Sequence, residues 1–304
     1  MERLRGVIAA AATPVREDLT IEYDKLVQLC GWLLQSGCDG INLLGTTGEA
    51  TSFTTEARLA AMHAVARSDL PISRFMVGTG AAALDDAVRL TAAARDLGFA
   101  GALLLPPFYY KAISDEGLID YVSTVVERVG HGPRLYLYHF PQNSGVPYTI
   151  EVTRRLKQRY PDCLMGMKDS SGDLAFASQV ANEIKDFDVF PSAEGAIAHA
   201  RDHGYAGCIS ATANITAPFA RAAWMKPHLQ EGREGLSKAV TLRNALSSSK
   251  LIASVKWALS RLHRDPSLTR VMPPLTSLRE MEVRTLEATL AQTAFSELAF
   301  DAPS

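Results

Sequence analysis

The chain has 304 residues, 47% hydrophobic and 21% charged, with a formal net charge of −2. That composition belongs to a globular protein with a large core, and scattered lysines and arginines at near-zero net charge exclude a nucleic-acid or anionic-membrane surface. No run of about 18 apolar residues occurs, so no membrane-spanning helix is expected.

Cys30, Cys38, Cys163 and Cys208 match no zinc spacing and stand in apolar surroundings. They read as core thiols of a reducing compartment, which predicts a cytoplasmic protein. The histidines form no HExxH or similar pair, so no metal site is expected.

The opening "MERLRGVIAAAATPV" has two arginines and a short apolar run, like a weak signal peptide. The reading preferred here is a first buried strand over 6–13, closed by Pro14. An amphipathic helix pattern over 23–35 then leads to the apolar "GCDGINLLG", a helix over 55–67 to "RFMVGTG", and a helix over 84–97 to "AGALLLPP". The pattern continues with 116–129 before "RLYLYHFP", 150–160 before "CLMGMK", 174–184 before "FDVFPSAE" and 196–203 before "AGCISATAN". Helices show apolar residues at 3–4 spacing, whereas the strands are short continuous apolar runs suited to a parallel sheet buried on both faces. Eight strands alternating with helices predict a (β/α)₈ TIM barrel over 1–215. The last barrel helix and a C-terminal helical appendage are expected over 216–304.

A barrel carries its active site at the C-terminal strand ends, so the polar residues there are the candidates. Strand two ends in "GTTGE" (45–49), where two glycines permit a tight turn, successive N–H groups can cup an anion, and Thr46 and Thr47 add hydroxyls. The alternative is a loop whose threonines cap the next helix. Strand three ends in "GTGAAA" (78–83), a formal dinucleotide match, but the acidic partner required about 20 residues on is replaced by Leu105-Pro106-Pro107. The dinucleotide reading is therefore rejected. "PPFYYK" puts Tyr109 and Tyr110 in a loop at the active face, suited to packing or an interface. Tyr138 ends strand five as either a proton donor and acceptor or a barrel-filling aromatic.

Strand six, "LMGMK", ends in Lys168, which either snorkels to solvent or stays at the barrel mouth. An amine held in a low-dielectric mouth is a nucleophile that condenses with a ketone, and the resulting Schiff base is an electron sink. An anion cup, a phenol and a lysine at one mouth are what a 2-keto acid requires.

The ordered set "GTTGEATSFT", "PPFYYK", "YLYHFPQNSG", "GMKDSSGD" and "GCISATANI" resembles the dihydrodipicolinate synthase/N-acetylneuraminate lyase family of Schiff-base aldolases over nearly the whole length. The resemblance implies Lys168 as the imine-forming lysine and Tyr138 as the catalytic phenol. It implies Thr46 and Thr47 as the seat of the pyruvate carboxylate, with the Thr47 hydroxyl linking Tyr138 to a tyrosine of the adjacent subunit. That tyrosine aligns with Tyr109, with Tyr110 the rival. Ile209 would line the pocket beside the imine. Asn143 stands where dihydrodipicolinate synthases carry an arginine that clamps the semialdehyde carboxylate, and an amide gives no bidentate, charge-assisted clamp. Glu194 would take the role of a sugar-binding group after strand seven.

The implied activity joins or cleaves pyruvate and an aldehyde, on a 2-keto-3-deoxy sugar acid or a 4-hydroxy-2-oxoglutarate-like substrate. No cofactor is expected beyond the lysine imine, and the implied assembly is a homo-oligomer, a dimer of dimers. The alternatives are a sugar-acid dehydratase using the same imine, a dihydrodipicolinate synthase, and a non-catalytic effector-binding barrel.

Overall fold

The computed structural model describes residues 3–298 except residue 131; the ends of the two predicted stretches, 1–2 and 299–304, lie outside the described residues. The chain alternates through β1 (Gly6–Ala10), α1 (Tyr23–Gln35), β2 (Gly40–Leu43), α2 (Thr55–Ala66), β3 (Phe75–Gly78), α3 (Leu84–Asp96) and β4 (Gly101–Leu104). It continues through α4 (Asp115–Val129), β5 (Leu135–His139), the short α5 (Pro141–Ser144), α6 (Ile150–Arg159), β6 (Leu164–Asp169), α7 (Leu174–Glu183) and β7 (Asp188–Pro191). A 3-10 segment, Glu194–His199, runs into the single-turn α8 (Ala200–His203), and β8 is Gly207–Ser210. Then come α9 (Ala213–Met225), α10 (Gln230–Ser247), α11 (Leu251–Leu262) and α12 (Glu280–Leu290).

All eight strands are parallel in the order β7-β6-β5-β4-β3-β2-β1-β8. The remaining seam is bridged by the Ala206 N–H, which donates to the Val189 carbonyl at 3.0 Å. The result is the (β/α)₈ barrel with C-terminal helices that the strand–helix alternation predicts. Residues 6–10 form its first strand, all five of them buried. Several helices start at capping side chains: Thr54, Ser114, Thr149 and Asp173 each accept a first-turn backbone N–H.

The apolar runs are continuous because each strand is buried twice. Ile8, Met76, Leu103, Tyr136 and Phe190 pack inside the barrel, while Val7, Ile41, Phe75, Val77 and Leu137 pack outward against the helices. Tyr136 fills the barrel interior, with room left by two glycines. A Cβ at Gly101 would lie 2.6 Å from its Cε2, and one at Gly166 3.0 Å from its Cδ1.

One expectation needs correcting. The predicted α-helix over 196–203 is a 3-10 segment followed by one α-turn. Glu194, at the start of that segment, is buried and accepts the hydroxyls of Ser210, Thr212 and Thr216, so the segment is pinned to the end of β8 and the start of α9.

Candidate active site

Lys168 reaches the barrel interior through an irregularity in β6. Leu135 of β5 is in register with Leu164, but Tyr136 is in register with Gly166, so Met165 is an extra residue. Side chains alternate across a strand, and one inserted residue reverses the alternation beyond it. Leu164 therefore packs outward, Met165 inward and Met167 outward again. Lys168 is placed beside Tyr138 in register, on the inner side. Without the insertion, strict alternation from Leu164 would turn Lys168 toward the helices. Only glycine fits at 166, because a Cβ there would lie 2.1 Å from the Asp188 carbonyl oxygen.

Lys168 and Tyr138 are 3% and 5% exposed, and the lysine Nζ lies 4.3 Å from the centre of the tyrosine ring. Among the described residues no carboxylate lies within ion-pair distance of that Nζ; the buried carboxylates near the mouth, Glu49 and Glu194, pair with Lys256 and Arg243. Phe140 also stacks with the tyrosine ring, centroids 6.0 Å apart. Both residues open into a cavity of about 520 Å³, within the range of small-molecule sites. Thr46, Thr47, Asn143 and Ile209 line the same cavity.

The loop after β2 turns in an unexpected way. Its left-handed residues are Leu44 (φ 50°) and Glu49 (φ 56°), not Gly45 or Gly48. The glycines serve close approach instead: a Cβ at Gly45 would lie 2.7 Å from Asn42 Nδ2, and one at Gly48 3.0 Å from the Ala11 carbonyl. The Glu49 and Ala50 N–H groups close the turn onto the Thr46 and Gly45 carbonyls at 3.0 and 3.2 Å. Among the described residues the N–H groups of Thr46 and Thr47 donate to no backbone carbonyl, which leaves them available to an anion. The Tyr138 hydroxyl is bonded at 3.0 Å to the hydroxyl of Thr46. Sequence analysis gives that link to Thr47, and the structure moves it one residue back.

Glu49 is also an anchor. Its carboxylate is buried against the Lys256 ammonium of α11 and accepts the Met272 N–H at 2.5 Å. Lys256 in turn donates to the Arg270 carbonyl at 2.6 Å. This arrangement ties the segment 270–276, whose Pro274, Leu275 and Thr276 wall the cavity, to the turn that carries Thr46 and Thr47.

Glu194 does not face the cavity. It is 0% exposed, and its Oε1 accepts the hydroxyls of Ser210, Thr212 and Thr216 at 3.0, 2.7 and 2.6 Å. Its Oε2 accepts Arg243 Nη1 at 3.2 Å. A carboxylate with both oxygens engaged inside the protein has none left for a sugar, which corrects the substrate-binding role expected of it.

Among the described residues no three His, Cys, Asp or Glu side chains converge as a metal-ligand set, and no helix is long and apolar enough to cross a membrane. Cys30, Cys38 and Cys208 are buried and Cys163 half-buried, and all four are unpaired. Burial pushes the Cys38 thiol up to about 12, so it is inert at neutral pH.

Residues 3–293 match the family described as the dihydrodipicolinate synthetase family. The chain belongs to that family. A DapA-like lyase of Chloroflexus aurantiacus is 31% identical over 293 residues, covering 95% of this chain and 96% of the relative. The dihydrodipicolinate synthase of Agrobacterium tumefaciens superposes with a TM-score of 0.87 at 28% identity, over 95% of this chain and 99% of that one. The chloride-inhibited dihydrodipicolinate synthase of Acinetobacter baumannii, solved with pyruvate, superposes with a TM-score of 0.83 at 27% identity, over 97% and 100%.

In this dihydrodipicolinate synthetase family member, Asn143 sits on α5 at the rim of the cavity. Tyr109 and Tyr110 are 76% and 71% exposed, pack edge-on at 5.3 Å, and line no part of this cavity within one chain. A second cavity of about 340 Å³ lies behind Tyr138, bounded by Thr46, Thr51, Arg58 and Phe108. Sequence reasoning missed Arg243, Lys250 and the 274–276 wall. Arg243 comes from α10, Lys250 from the residue before α11 and 274–276 from the segment between α11 and α12, where ordinary sequence spacing gives no sign of which residue faces the barrel mouth.

Proposed function

We propose that the protein is a pyruvate-dependent lyase that works through a Lys168 imine and cleaves or forms a carbon–carbon bond. The observation that carries this reading is the pairing of Lys168 with Tyr138 inside one barrel mouth, Nζ 4.3 Å from the ring, beside the N–H groups of Thr46 and Thr47, which among the described residues donate to no backbone carbonyl. The substrate carboxylate would sit on the Thr46 and Thr47 N–H groups and the Thr47 hydroxyl, setting C2 against the Lys168 amine. Attack at C2 and loss of water give the imine, which withdraws electrons from the C3–C4 bond. Tyr138, relayed through the Thr46 hydroxyl, removes the C4 hydroxyl proton as that bond breaks. An aldehyde departs, the enamine is protonated at C3, and water releases pyruvate and the free lysine. The imine is the electron sink, so the reaction calls for no further cofactor.

Family membership supports the reading, as does the pyruvate bound to the Acinetobacter relative. We further propose a homo-oligomer in which Tyr109 of a second copy fills the cavity behind Tyr138, with pairs of dimers as the assembly. Unpaired cysteines support a reducing, cytoplasmic location.

The test is the intact mass of the protein after pyruvate and borohydride, for the wild type and Lys168→Ala. A pyruvyl adduct that vanishes in the variant is expected; a folded wild type with no adduct overturns the proposal in favour of a non-catalytic barrel. Product analysis then separates lyase types, since an aldolase yields pyruvate and an aldehyde, whereas a dehydratase retains the carbon chain.

A further inference from the structure

We propose that Arg243 is the seat for an anionic group, a carboxylate or a phosphate, on the second substrate. The inference deepens the pyruvate reading above and rests on it. Arg243 stands on α10 and lines the same cavity as Lys168, on the wall made by the ends of β7 and β8. Among the described residues one of its nitrogens is engaged: Nη1 donates to Glu194 Oε2 at 3.2 Å, Ser210 Oγ at 3.1 Å and Thr212 Oγ1 at 3.1 Å. Among the described residues Nε and Nη2 make no hydrogen bond, and the side chain keeps 22% of its surface exposed. A guanidinium held from behind along one edge presents the other as a fixed fork, the geometry that takes a carboxylate or phosphate through two parallel bonds.

The surrounding charges favour this orientation. Glu194 neutralises Arg243 formally, but it lies on the far side from the cavity and is wrapped by three hydroxyls. A ligand in the cavity therefore meets the positive end of an oriented pair, at a distance where the nearer charge dominates. The other cation on the wall, Lys250, is already committed to Glu282 at 3.0 Å and to the Ser277 carbonyl at 3.3 Å. A three-carbon keto acid at Lys168 leaves most of the 520 Å³ for a partner that reaches Arg243. The same arrangement explains the buried Glu194: it positions the arginine rather than touching substrate.

The test uses three matched probes, glycerate, glycerol 3-phosphate and glycerol, titrated calorimetrically into the pyruvyl-reduced enzyme and into unreacted protein. In the reduced wild type, where the keto-acid end is filled, at least one charged probe should bind at least tenfold tighter than glycerol. Preference for glycerate assigns a carboxylate, and preference for glycerol 3-phosphate a phosphate. R243Q should abolish the preference while still trapping pyruvate, which reports an intact mouth, and R243K should keep part of it. Equal binding of charged and neutral probes by the wild type, or an undiminished preference in R243Q, overturns the assignment. Failure of the imine reading appears separately, as no adduct; the probes on unreacted wild type and R243Q then decide the anion seat on their own.

Discussion

The Tyr138 hydroxyl is hydrogen-bonded to the hydroxyl of Thr46 at 3.0 Å, while the neighbouring Thr47, 5% exposed, lines the cavity, and among the described residues its N–H donates to no backbone carbonyl. Adjacent threonines on one turn therefore have different work, and the proposed mechanism separates them kinetically. Thr46→Val removes the relay partner of the phenol and should lower kcat about 10–100-fold, the worth of a hydrogen bond to a charged or reacting group. Thr47→Val removes a carboxylate ligand and should raise the pyruvate KM with little change in kcat. Steady-state kinetics on both variants check this; the reverse pattern would restore Thr47 to the relay.

Tyr138→Phe keeps the ring against Lys168 and loses only the hydroxyl. Trapping of pyruvate by borohydride should persist, and turnover should fall about 10²–10⁴-fold, the range for a missing general acid–base group. A variant that turns over normally would make Tyr138 the barrel-filling aromatic that its neighbour Tyr136 is.

Glu49 and Lys256 form an ion pair almost without solvent, 0% and 1% exposed at the side chains. Burial depresses the Lys256 pKa and the Glu49 carboxylate opposes that shift. Lys256→Met leaves a buried carboxylate unpaired and should cost about 3–5 kcal/mol in stability, whereas Lys256→Met with Glu49→Gln should cost clearly less. Chemical denaturation of the two variants and the wild type measures the difference. Because Glu49 also holds Met272 beside the cavity, the single variant should bind pyruvate more weakly than its stability loss alone would imply.

Much of the fold is legible in the sequence because doubly buried strands are continuous apolar runs, and the same reading puts Thr46, Thr47, Tyr138 and Lys168 at one mouth. Three features are not legible. The extra residue at Met165 decides which way Lys168 faces, yet "LMGMK" reads the same with or without it. The left-handed turn residues are Leu44 and Glu49, while composition points to the glycines. Glu194 is polar at a strand end, as a ligand-binding group would be, and only three-dimensional proximity to Ser210, Thr212 and Thr216 shows it sealed in. Contacts between residues distant in sequence set all three.

His139 gives the pH dependence that is easiest to isolate. It follows Tyr138 on β5, is 5% exposed, stacks on Phe176 at 4.6 Å and accepts the Tyr148 N–H through Nδ1 at 3.0 Å. Burial lowers its pKa to about 4, with Asp173 acting weakly the other way. The folded state therefore resists a proton that the unfolded chain accepts near pH 6.5, so the stability tied to this group is complete above that pH. It declines as pH falls from about 6.5 to about 4, by about 3 kcal/mol in all. Buried Asp169, on the adjacent strand, has its pKa raised and contributes with the opposite sign, so the wild-type curve alone does not isolate the histidine. His139→Asn supplies an amide oxygen for the Tyr148 N–H without a titrating ring. Urea midpoints at pH 7 and pH 4.5 should differ less in that variant than in the wild type. An unchanged difference would assign the acid sensitivity to other buried groups, with His263, whose pKa burial also lowers, the next to replace.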